Sequence, residues 1–462
     1  MTDRQILTVA QMQAAEQAIF DAGSSVEELM EIAAGGAAEW IRRIAAGRSI
    51  TVLCGPGNNG GDGYVIARRM REFGNEVRVV APMEPATDAA KNARKAWGGS
   101  VSTSGEGVRG GLFVDCLFGS GLSRPLSGEH ALLLRDLAAH HHHCVAVDLP
   151  SGVESDSGAL LNDRLPAFDV TLALGAWKFA HWTLPARSIM GTRRFVPIGV
   201  TPTEGAAEIV ERPRLTAPAV DAHKYSRGLA AIVGGAMPGA ATLSAMAAQR
   251  AGAGYVKLLA EDHLSLDPTL VCEGAPIDEA VSDPRIAAIL VGPGLGREDQ
   301  ARAKLRAVLN ADRPCVLDAD ALILLEGDML ADGARILVTP HDGELVRLCR
   351  TFAVIAEGRR DRAIALAKAS GMVICAKGPD TFIAAPDGRL VIAPPAPSWL
   401  SVAGTGDVLA GIAVSRMATG SEAFEAACEA AWLHGEAARR CGPVFTADEL
   451  AHQVATAYRA CL

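Results

Sequence analysis

One aspartate, Asp407, lies in the glycine-rich stretch Ser401–Gly411, ahead of an Ala/Val/Leu-rich run that predicts a helix to about Ala418. A glycine-rich turn leading into a helix directs several backbone N–H groups at one point, where the helix dipole also favours negative charge. Such a turn suits a phosphate. A carboxylate in it is repelled unless a proton, a metal or a substrate hydroxyl needs it there. The alternative is that Asp407 only caps its own helix.

A second glycine-rich turn, Gly55-Pro-Gly-Asn-Asn-Gly60, follows the predicted strand Ile50–Cys54 and matches the GxGxxG pattern of dinucleotide-binding turns. Pro56 and the two asparagines place rigid and polar groups where that turn carries small ones. The next strand also ends without the acidic residue that would bind a ribose. The glycines therefore predict close approach of the backbone to a ligand, without establishing a hydride-transfer cofactor.

Polar residues stand near the ends of further predicted strands, at the edge where open α/β sheets bind ligands. Asp115 lies in the strand Leu112–Leu117, and Asp148 and Ser151 follow at the end of the next one. With Asn59 they supply carboxylate, amide and hydroxyl oxygens, which suit a hard monovalent or divalent cation. Each residue alone favours the alternative of an ordinary turn cap.

Strand and helix patterns alternate along both halves of the 462-residue chain, which is too long for one core. The alternation predicts α/β domains with parallel, doubly wound sheets. The stretch Thr201–Val220 lacks periodicity and is interpreted as a linker between domains at residues 1–205 and 215–462. The run His140–His143 predicts an exposed turn rather than a metal site.

Helices are predicted directly after both glycine-rich turns. Tyr64–Phe73 follows the first turn and Asp407–Thr419 the second, and the helix Glu422–Arg440 closes the pattern. A short hairpin, with strands Thr381–Ala385 and Leu390–Ala393, is predicted shortly before the second turn.

The composition narrows the classes of function. A net charge of −9 argues against a general nucleic-acid or anionic-membrane surface. The sequence begins without a signal-peptide pattern, and no apolar run approaches the ~20 residues of a membrane span. The ten cysteines are scattered without CxxC and are interpreted as core residues in a reducing compartment. We expect a cytoplasmic protein that binds small molecules, and homo-oligomerisation stays open.

Three separated motifs of the first half resemble those of NAD(P)H-hydrate epimerases and occur in the same order. They are Cys54-Gly-Pro-Gly-Asn-Asn-Gly-Gly-Asp-Gly-Tyr64, Asp115-Cys-Leu-Phe-Gly-Ser-Gly-Leu122 and Val147-Asp-Leu-Pro-Ser-Gly152. The resemblance spans roughly residues 8–200 and implies a Rossmann-like domain. It implies that the hydrated dinucleotide is contacted by Asn58, Asn59, Gly60, Gly61, Asp62, Gly119, Ser120, Gly121, Leu122, Ser123, Arg124, Pro125 and Asp148.

The same resemblance implies a potassium ion held by Asn59, Asp115 and Ser151. Exchanging the configuration at C6 of the hydrate needs proton delivery as the hydroxyl leaves or the ring opens. Asp148 is therefore the candidate catalytic residue of this domain. The sequence does not decide which carboxylate is the acid.

Four segments of the second half end predicted strands where they could meet Asp407. They are Gly234–Ala240, Gly292–Gly296, Thr339–Glu344 and Lys377–Thr381. Lys377, at the start of the last segment, could neutralise the charge of a phosphate. His341 is a candidate ligand contact, with a purely structural role as the equal alternative.

These segments together resemble the ribokinase-like superfamily, whose Gly-Thr-Gly-Asp turn puts a base beside a phosphate-binding anion hole. Within it, His223-Lys-Tyr-Ser-Arg-Gly228, Thr339-Pro-His341 and Ala403-Gly-Thr-Gly-Asp407 resemble ADP/ATP-dependent NAD(P)H-hydrate dehydratases, over about residues 215–460. There the hydrate's hydroxyl would be phosphorylated by ADP or ATP with Mg²⁺ and expelled as phosphate, which leaves far more readily than hydroxide.

The resemblance implies that Asp407 is the catalytic base and that Ala240, Gly296, His341 and Asp407 contact the S hydrate. It implies that the nucleotide is contacted by Lys377, Gly378, Pro379, Asp380, Thr381 and Gly406. One departure is Asp342, which stands where the family form carries proline. The fusion of the two domains favours ADP as the donor, by resemblance only.

The sequence thus predicts a two-step repair enzyme for hydrated NADH and NADPH, with isomerase and lyase domains. A first alternative is a ribokinase-like small-molecule kinase with a regulatory N-terminal module, which would release a stable phosphorylated product. A second is a non-catalytic metabolite sensor, which would bind nucleotide tightly without turnover. A nucleic-acid-binding protein is the least favoured class.

Overall fold

The structure, a computed structural model, describes residues 2–260, 269–331 and 333–462 and divides into two compact units, Met1–Glu208 and Ile209–Leu462. The division lies inside the stretch 201–220. That stretch is not without regular structure, because the strand Ala207–Ile209 pairs antiparallel with Gln5–Ile6. Two strands of two and three residues are too short to show a period in the sequence.

The elements of the first unit alternate as predicted. Its strands are β1 (Gln5–Ile6), β2 (Ile50–Cys54), β3 (Val77–Val80), β4 (Gly110–Cys116), β5 (His141–Val147), β6 (Val170–Leu174), β7 (Thr192–Val196) and β8 (Ala207–Ile209). Its helices are α1 (Val9–Asp21), α2 (Val26–Ala45), α3 (Asn58–Glu72), α4 (Asp88–Trp97) and α5 (Gly128–Ala139).

The main sheet of this unit is parallel throughout, in the order β3-β2-β4-β5-β6-β7. Apolar side chains alternate between its faces: Val52 and Val114 join the core under α2, α3 and α4, whereas Leu53 and Phe113 join the core under α5. The chain order reverses between β2 and β4, which creates a crevice at the carboxyl ends of these strands. The predicted doubly wound, Rossmann-like class is confirmed.

The second unit has a longer alternation of the same kind. Its strands are β9 (Leu229–Val233), β10 (Tyr255–Leu259), β11 (Val271–Glu273), β12 (Ile286–Val291), β13 (Cys315–Leu317), β14 (Ile336–Val338), β15 (Val373–Ala376), β16 (Phe382–Ala384) and β17 (Leu390–Ile392). Its helices are α6 (Pro238–Arg250), α7 (Ile277–Ala280), α8 (Asp299–Asn310), α9 (Asp320–Leu324), α10 (Asp342–Thr351), α11 (Gly358–Ser370), α12 (Thr405–Ala418), α13 (Ala423–Cys441) and α14 (Ala447–Arg459).

The strands β11-β10-β9-β12-β13-β14-β15 are parallel, and β16 and β17 continue the sheet as the predicted antiparallel hairpin. Successive residues of β9 face opposite cores, with Ala230 and Ile232 on the side of α6 and α12 and Ala231 on the side of α8 and α10. The order reverses between β9 and β12, so a second crevice opens at their carboxyl ends.

Helix α12 lies inside the second unit, since every residue from Val408 to Ala418 is buried. Gly411 permits close packing on α6, because a Cβ there would stand 2.2 Å from the carbonyl oxygen of Ser244. A helix that is apolar on all sides is a core helix. Its first turn is thereby held in one place against the sheet.

Several sequence predictions are corrected. Helix α3 begins at Asn58 and not at Tyr64, so the Asn-Asn-Gly-Gly-Asp motif is helical. The histidine run opens β5 instead of forming an exposed turn, and buried His141 bonds Thr51. A third helix, α14, closes the chain after α13. Helices α8, α10 and α11 were not predicted; α11 lacks a clear apolar stripe, whereas α8 and α10 do have an apolar face.

All ten cysteines are free and buried or half-buried, as predicted. Across the described ranges, no helix combines the length and the apolar character that crossing a membrane requires.

Candidate functional sites

A cleft of about 1070 Å³ opens at the carboxyl ends of β2, β4 and β5 in the first unit. Most of the predicted substrate contacts line it, namely Asn58, Asn59, Asp62, Gly119, Ser120, Gly121, Leu122, Ser123, Arg124, Pro125 and Asp148. The parallel sheet explains the convergence, because consecutive strand ends meet at one edge.

Gly60 and Gly61 are not among the residues that line this cleft. A Cβ on Gly60 would stand 1.9 Å from the carbonyl oxygen of Gly55, and one on Gly61 would stand 2.4 Å from the terminal methyl of Met30. These two glycines allow α3 to pack closely on the turn before it and on α2. They therefore serve helix packing, and a contact of their backbone with the dinucleotide stays a prediction.

Asp148 is the most constrained residue of the cleft. Its backbone has φ 66°, a left-handed conformation that costs free energy for an aspartate and persists only where the surrounding structure holds it. Its carboxylate accepts from Lys178 Nζ at 2.6 Å and from the Ser120 amide at 2.9 Å. Burial raises the pKa of Asp148, but the ion pair with Lys178 outweighs burial and leaves that pKa below its ordinary value.

Lys178 and His181 fix this arrangement. Lys178 is 1% exposed and also donates to the Leu174 carbonyl at 2.7 Å. His181 Nδ1 accepts from the Lys178 amide at 2.9 Å, so its Nε2 carries the proton that is donated to the Asp148 carbonyl at 2.7 Å. Burial lowers the pKa of His181 to about 4, which keeps the ring neutral. The Asp148 charge is thus held in place.

Asn59, Asp115 and Ser151 provide oxygen atoms deeper in the crevice. Ser151 Oγ donates to Asp115 Oδ1 at 2.8 Å and accepts from the Phe118 amide at 2.9 Å. Both side-chain amide atoms of Asn59 are buried without a hydrogen-bond partner in the described structure. An unsatisfied buried amide is unfavourable and points to a ligand.

Two further carboxyls lie in the cleft. Burial, followed by the charges of Asp148 and Glu16, raises the pKa of Asp62 well above its ordinary value. Burial also raises the pKa of Glu16, against the opposing effect of Lys178. The cleft therefore holds one carboxylate whose anion is stabilised, that of Asp148, beside two carboxyls that bind protons more tightly.

In the second unit, the predicted segments meet at the carboxyl edge of the sheet. Lys377, after β15, donates from Nζ to Asp318 Oδ1 at 2.6 Å, and Asp318, after β13, is 1% exposed. The Lys377 amide donates to the Pro340 carbonyl at 2.8 Å, which joins the loops after β14 and β15. Burial lowers the pKa of Lys377, but Asp318 reverses this and leaves that pKa raised, so the ammonium stays charged.

The first turn of α12 lies beside this ion pair. A Cβ on Gly406 would stand 3.4 Å from Lys377 Nζ and 3.9 Å from Asp318 Oδ2. Gly404 caps the helix with φ 92°, in space closed by Ala447 and Leu243. The free amides of the first turn and the lysine together attract an anion.

Asp407 lies in that turn. Burial, reinforced by the charge of Asp318, raises the pKa of Asp407 to about 6, although Lys377 opposes the shift. Its carbonyl accepts from Ser244 Oγ at 2.9 Å, and the Thr405 carbonyl bonds His434 Nε2 at 2.9 Å. Both contacts fix the backbone and leave the carboxyl available as a base.

The Gly234–Ala240 and Gly292–Gly296 segments are in contact. A Cβ on Gly294 would stand 3.1 Å from the Ala240 Cβ, and one on Gly296 would stand 3.1 Å from the Ala236 Cβ. The Gly296 amide donates to Asp320 Oδ2 at 3.0 Å. Ala240 and Gly296 therefore lie on facing walls of the crevice between β9 and β12.

His341 begins α10 as its cap. Its Nδ1 accepts from the Gly343 amide at 3.0 Å, and Glu344 closes the capping box by accepting from the His341 amide at 2.9 Å. Asp342 forms a two-pronged ion pair with Arg359 at 2.7 and 2.6 Å, and Arg359 also donates to the Asp380 carbonyl at 3.0 Å. The aspartate in place of proline thus connects the His341 loop to the Lys377–Thr381 loop.

Two family models match the two units separately. One is described as YjeF-related protein N-terminus and matches residues 26–180; the other is described as NAD(P)H-hydrate dehydratase and matches residues 230–458. Among solved structures, the ADP/ATP-dependent NAD(P)H-hydrate dehydratase of Bacillus subtilis is 26% identical, with a TM-score of 0.47, and covers 54% of this chain and 95% of that one.

Complete proteins match both units together. The bifunctional NAD(P)H-hydrate repair enzyme Nnr of Salinibacter ruber is 36% identical, covering 95% of this chain and 92% of that protein. The protein of the same name from Gloeobacter violaceus is 34% identical, covering 94% and 92%. The chain belongs to this family. The predicted identity as a bifunctional NAD(P)H-hydrate repair enzyme, with an isomerase and a lyase domain, is thereby confirmed.

Several residues of this repair enzyme's sites were not found from the sequence. Lys178, His181 and His434 stand in apolar or alanine-rich surroundings, where no local pattern marks a buried polar group. Asp318 did leave a signal, because it directly follows the apolar run Cys315–Leu317, which forms β13. Its partner Lys377 lies 59 residues away in the sequence, so the ion pair is a tertiary contact that no local pattern predicts.

Proposed function

We propose that the second unit removes water from the S epimer of hydrated NADH or NADPH, with ADP or ATP as phosphate donor, and that the first unit interconverts the R and S epimers. The observation that supports this best is Asp407, a carboxyl with a pKa of about 6, beside Lys377 at the amino end of α12. A base that is ionised at neutral pH next to an anion-binding turn is what hydroxyl phosphorylation needs.

Asp407 would accept the proton of the substrate hydroxyl as that oxygen attacks the terminal phosphoryl group. The amides of the first turn of α12 and Lys377 would bind the negative oxygens of the phosphoryl group during transfer. The nucleotide would supply the phosphoryl group, bound by Gly406 and by Lys377, Gly378, Pro379, Asp380 and Thr381. Ala240, Gly296 and His341 would position the hydrate for attack.

Mg²⁺ fits this site as a companion of the nucleotide phosphates. In the described part of the chain, no group of three His, Cys, Asp or Glu side chains is arranged to hold a metal by itself. Magnesium commonly keeps water ligands and binds through phosphates with little protein coordination. The same ion would neutralise phosphate charge that Lys377 leaves uncompensated.

In the first unit, Asp148 is the proposed catalytic carboxylate. Its ion pair with Lys178 keeps it ionised, so it would stabilise the positive charge that develops on the ring as the C6 hydroxyl leaves. Potassium would be held by Asn59, Asp115 and Ser151. The unsatisfied side-chain amide of Asn59 supports this site. Ser151 Oγ also accepts a hydrogen bond from the Phe118 amide and so fixes the adjoining substrate loop.

The experiment uses the full chain, an epimer mixture of hydrated NADH, Mg²⁺ and either nucleotide, and follows the recovery of dihydronicotinamide absorbance. Wild-type protein should convert the mixture completely in one phase. Asp148→Asn should give a fast phase for the S epimer and a slow phase limited by spontaneous epimerisation. Release of a stable phosphorylated hydrate would instead support the kinase alternative, and nucleotide binding without turnover would support the sensor.

The slow phase has its own control. Adding Asp407→Asn protein, which retains the first unit, should remove the slow phase of the Asp148→Asn variant. Equal rates for both epimers in Asp148→Asn would refute the role of Asp148 in epimerisation.

A further inference from the structure

Asp62 is a buried carboxyl that lines the cleft of the first unit. It stands in the second turn of α3 and is 8% exposed. Within the described structure, its carboxyl has no ion-pair or hydrogen-bond partner, unlike that of Asp148, which lines the same cleft. The sequence motif assigned Asp62 only a contact to the dinucleotide. A buried carboxyl without a partner is costly unless it stays protonated or meets a ligand.

The two carboxyls of the cleft differ in their surroundings. Asp148 accepts from an ammonium and from a backbone amide, which stabilise its anion. Asp62 faces acidic groups instead: Glu16 from α1 and Asp148 after β5. Two carboxyls with opposite environments in one site are suited to opposite roles, one as a fixed charge and one as a proton donor.

We propose that Asp62 is the general acid of the epimerisation, the residue that protonates the C6 hydroxyl of the hydrate as it leaves. The inference rests on the epimerase activity of the first unit and assigns its proton donor. Asp148 then acts through its charge, and Asp62 acts through its proton.

The step balances without any co-reactant. The C6–O bond breaks with its electron pair on oxygen, which takes the Asp62 proton and leaves as water. The lone pair of the ring nitrogen forms the N1=C6 double bond, and the Asp148 carboxylate stabilises the resulting cation. Water then adds to the other face of C6, the electron pair of the double bond returns to nitrogen, and the released proton restores the acid form of Asp62.

The pH dependence follows from the groups that face Asp62. They are Glu16 on α1, Asp148 after β5, Lys178 after β6 and the Cys116 thiol on β4. Burial and the two acidic neighbours raise the pKa of Asp62, so its acid form persists to higher pH than that of an exposed aspartate. Since the acid must be protonated to act, the epimerisation rate should fall as the pH rises through this pKa.

The test measures epimerisation alone, by chromatography of the two epimers without nucleotide, for wild type, Asp62→Asn and Asp88→Asn. Asp88 is a matched control, since it is an exposed aspartate of the same unit outside the cleft. Asp62→Asn should lower kcat by about 10²–10⁴-fold with KM changed little. Its residual rate should lack the alkaline fall of the wild type. Asp88→Asn should match the wild type.

Dehydration of pure S hydrate by the same proteins reports the state of the chain, and a melting curve of Asp62→Asn reports folding of the first unit. An Asp62→Asn protein with wild-type kcat, or with only a raised KM, would overturn the inference and leave Asp62 a binding residue. A residual rate that keeps the alkaline fall would overturn it too. Wild-type protein that fails to interconvert the epimers would refute the epimerase function itself.

Discussion

Replacing Asp407 by asparagine tests whether its carboxylate is a catalytic base or only caps the helix. Asparagine keeps the shape of the side chain and can cap a helix, but it cannot accept the proton of a substrate hydroxyl. If Asp407 is the base, dehydration should be lost while nucleotide binding stays within a few-fold, because the amides of the first turn of α12 and Lys377 are untouched. If Asp407 only caps, both properties should survive.

The size of the loss follows from the role. A positioned base contributes about 10²–10⁴-fold in rate, which is roughly 3–5 kcal/mol of the activation barrier. The wild-type rate should rise with pH and level off above the pKa of about 6, because only the ionised carboxylate accepts a proton. At pH 5 the rate should be about tenfold below its plateau.

The contribution of Asp407 to the free energy of unfolding should fall with rising pH, whereas the dehydration rate rises. Burial and Asp318 raise the pKa of Asp407 from 3.8 to about 6, so the favourable acid form is present below about pH 4 and is lost as the pH rises through 6. The shift sets an upper limit of ~3 kcal/mol, and partial exposure reduces this to about 1 kcal/mol. Asp407→Asn should therefore be more stable than wild type at pH 7.5 and equal to it near pH 4.

The assay pairs two measurements on the same preparations. Dihydronicotinamide absorbance follows dehydration of pure S hydrate between pH 5 and 8, and thermal unfolding follows the transition that ATP stabilises. Near-normal turnover by Asp407→Asn would refute the role as base. Lost turnover together with lost stability at pH 7.5 would refute the reasoning from burial and charge.

Three further outcomes are expected. Epimerisation should slow when potassium is withdrawn, and Asp115→Ala should abolish that response; an unchanged response would leave Asp115 a turn cap. Asp318→Asn should move the acid limb of dehydration to lower pH, because a neighbouring charge that raises the pKa of Asp407 is removed; a limb that stays in place would contradict the electrostatic account. Mild proteolysis should cut within residues 216–221, which are all exposed and carry no helix or strand, and release two folded pieces; a first piece that only aggregates would contradict the predicted domain limits.

The sequence predicted well whatever depends on neighbours along the chain. The strand Ile50–Cys54 was predicted to the residue, since it is a mostly apolar run that ends at a glycine-rich turn. The carboxyl-edge positions of Asp115 and Asp148 followed from parallel topology alone. Local sequence pattern and parallel topology together thus predicted where the two crevices lie.

What the sequence missed depends on tertiary contact. Gly60 and Gly61 lie in a motif that indicates ligand binding, and their role in bringing α3 onto neighbouring backbone and side chains is visible only in the structure. The partner of Asp148 is Lys178, 30 residues away on another strand end. Ion-pair partners of this kind decide that Asp148 binds a proton less tightly than Asp62. No spacing in a sequence reports them.

The bridge from Asp342 through Arg359 to the Asp380 carbonyl has an evolutionary consequence. Exchanging Asp342 for the proline of the family form would remove the ion pair and leave the Arg359 guanidinium with its hydrogen bond to the Asp380 carbonyl, packed against Gly378. We therefore expect the two positions to be coupled, with proline at 342 better tolerated where residue 359 is not arginine. Substitutions that are harmless in a relative would be harmful here, and the two loops would be inherited and recombined as one unit.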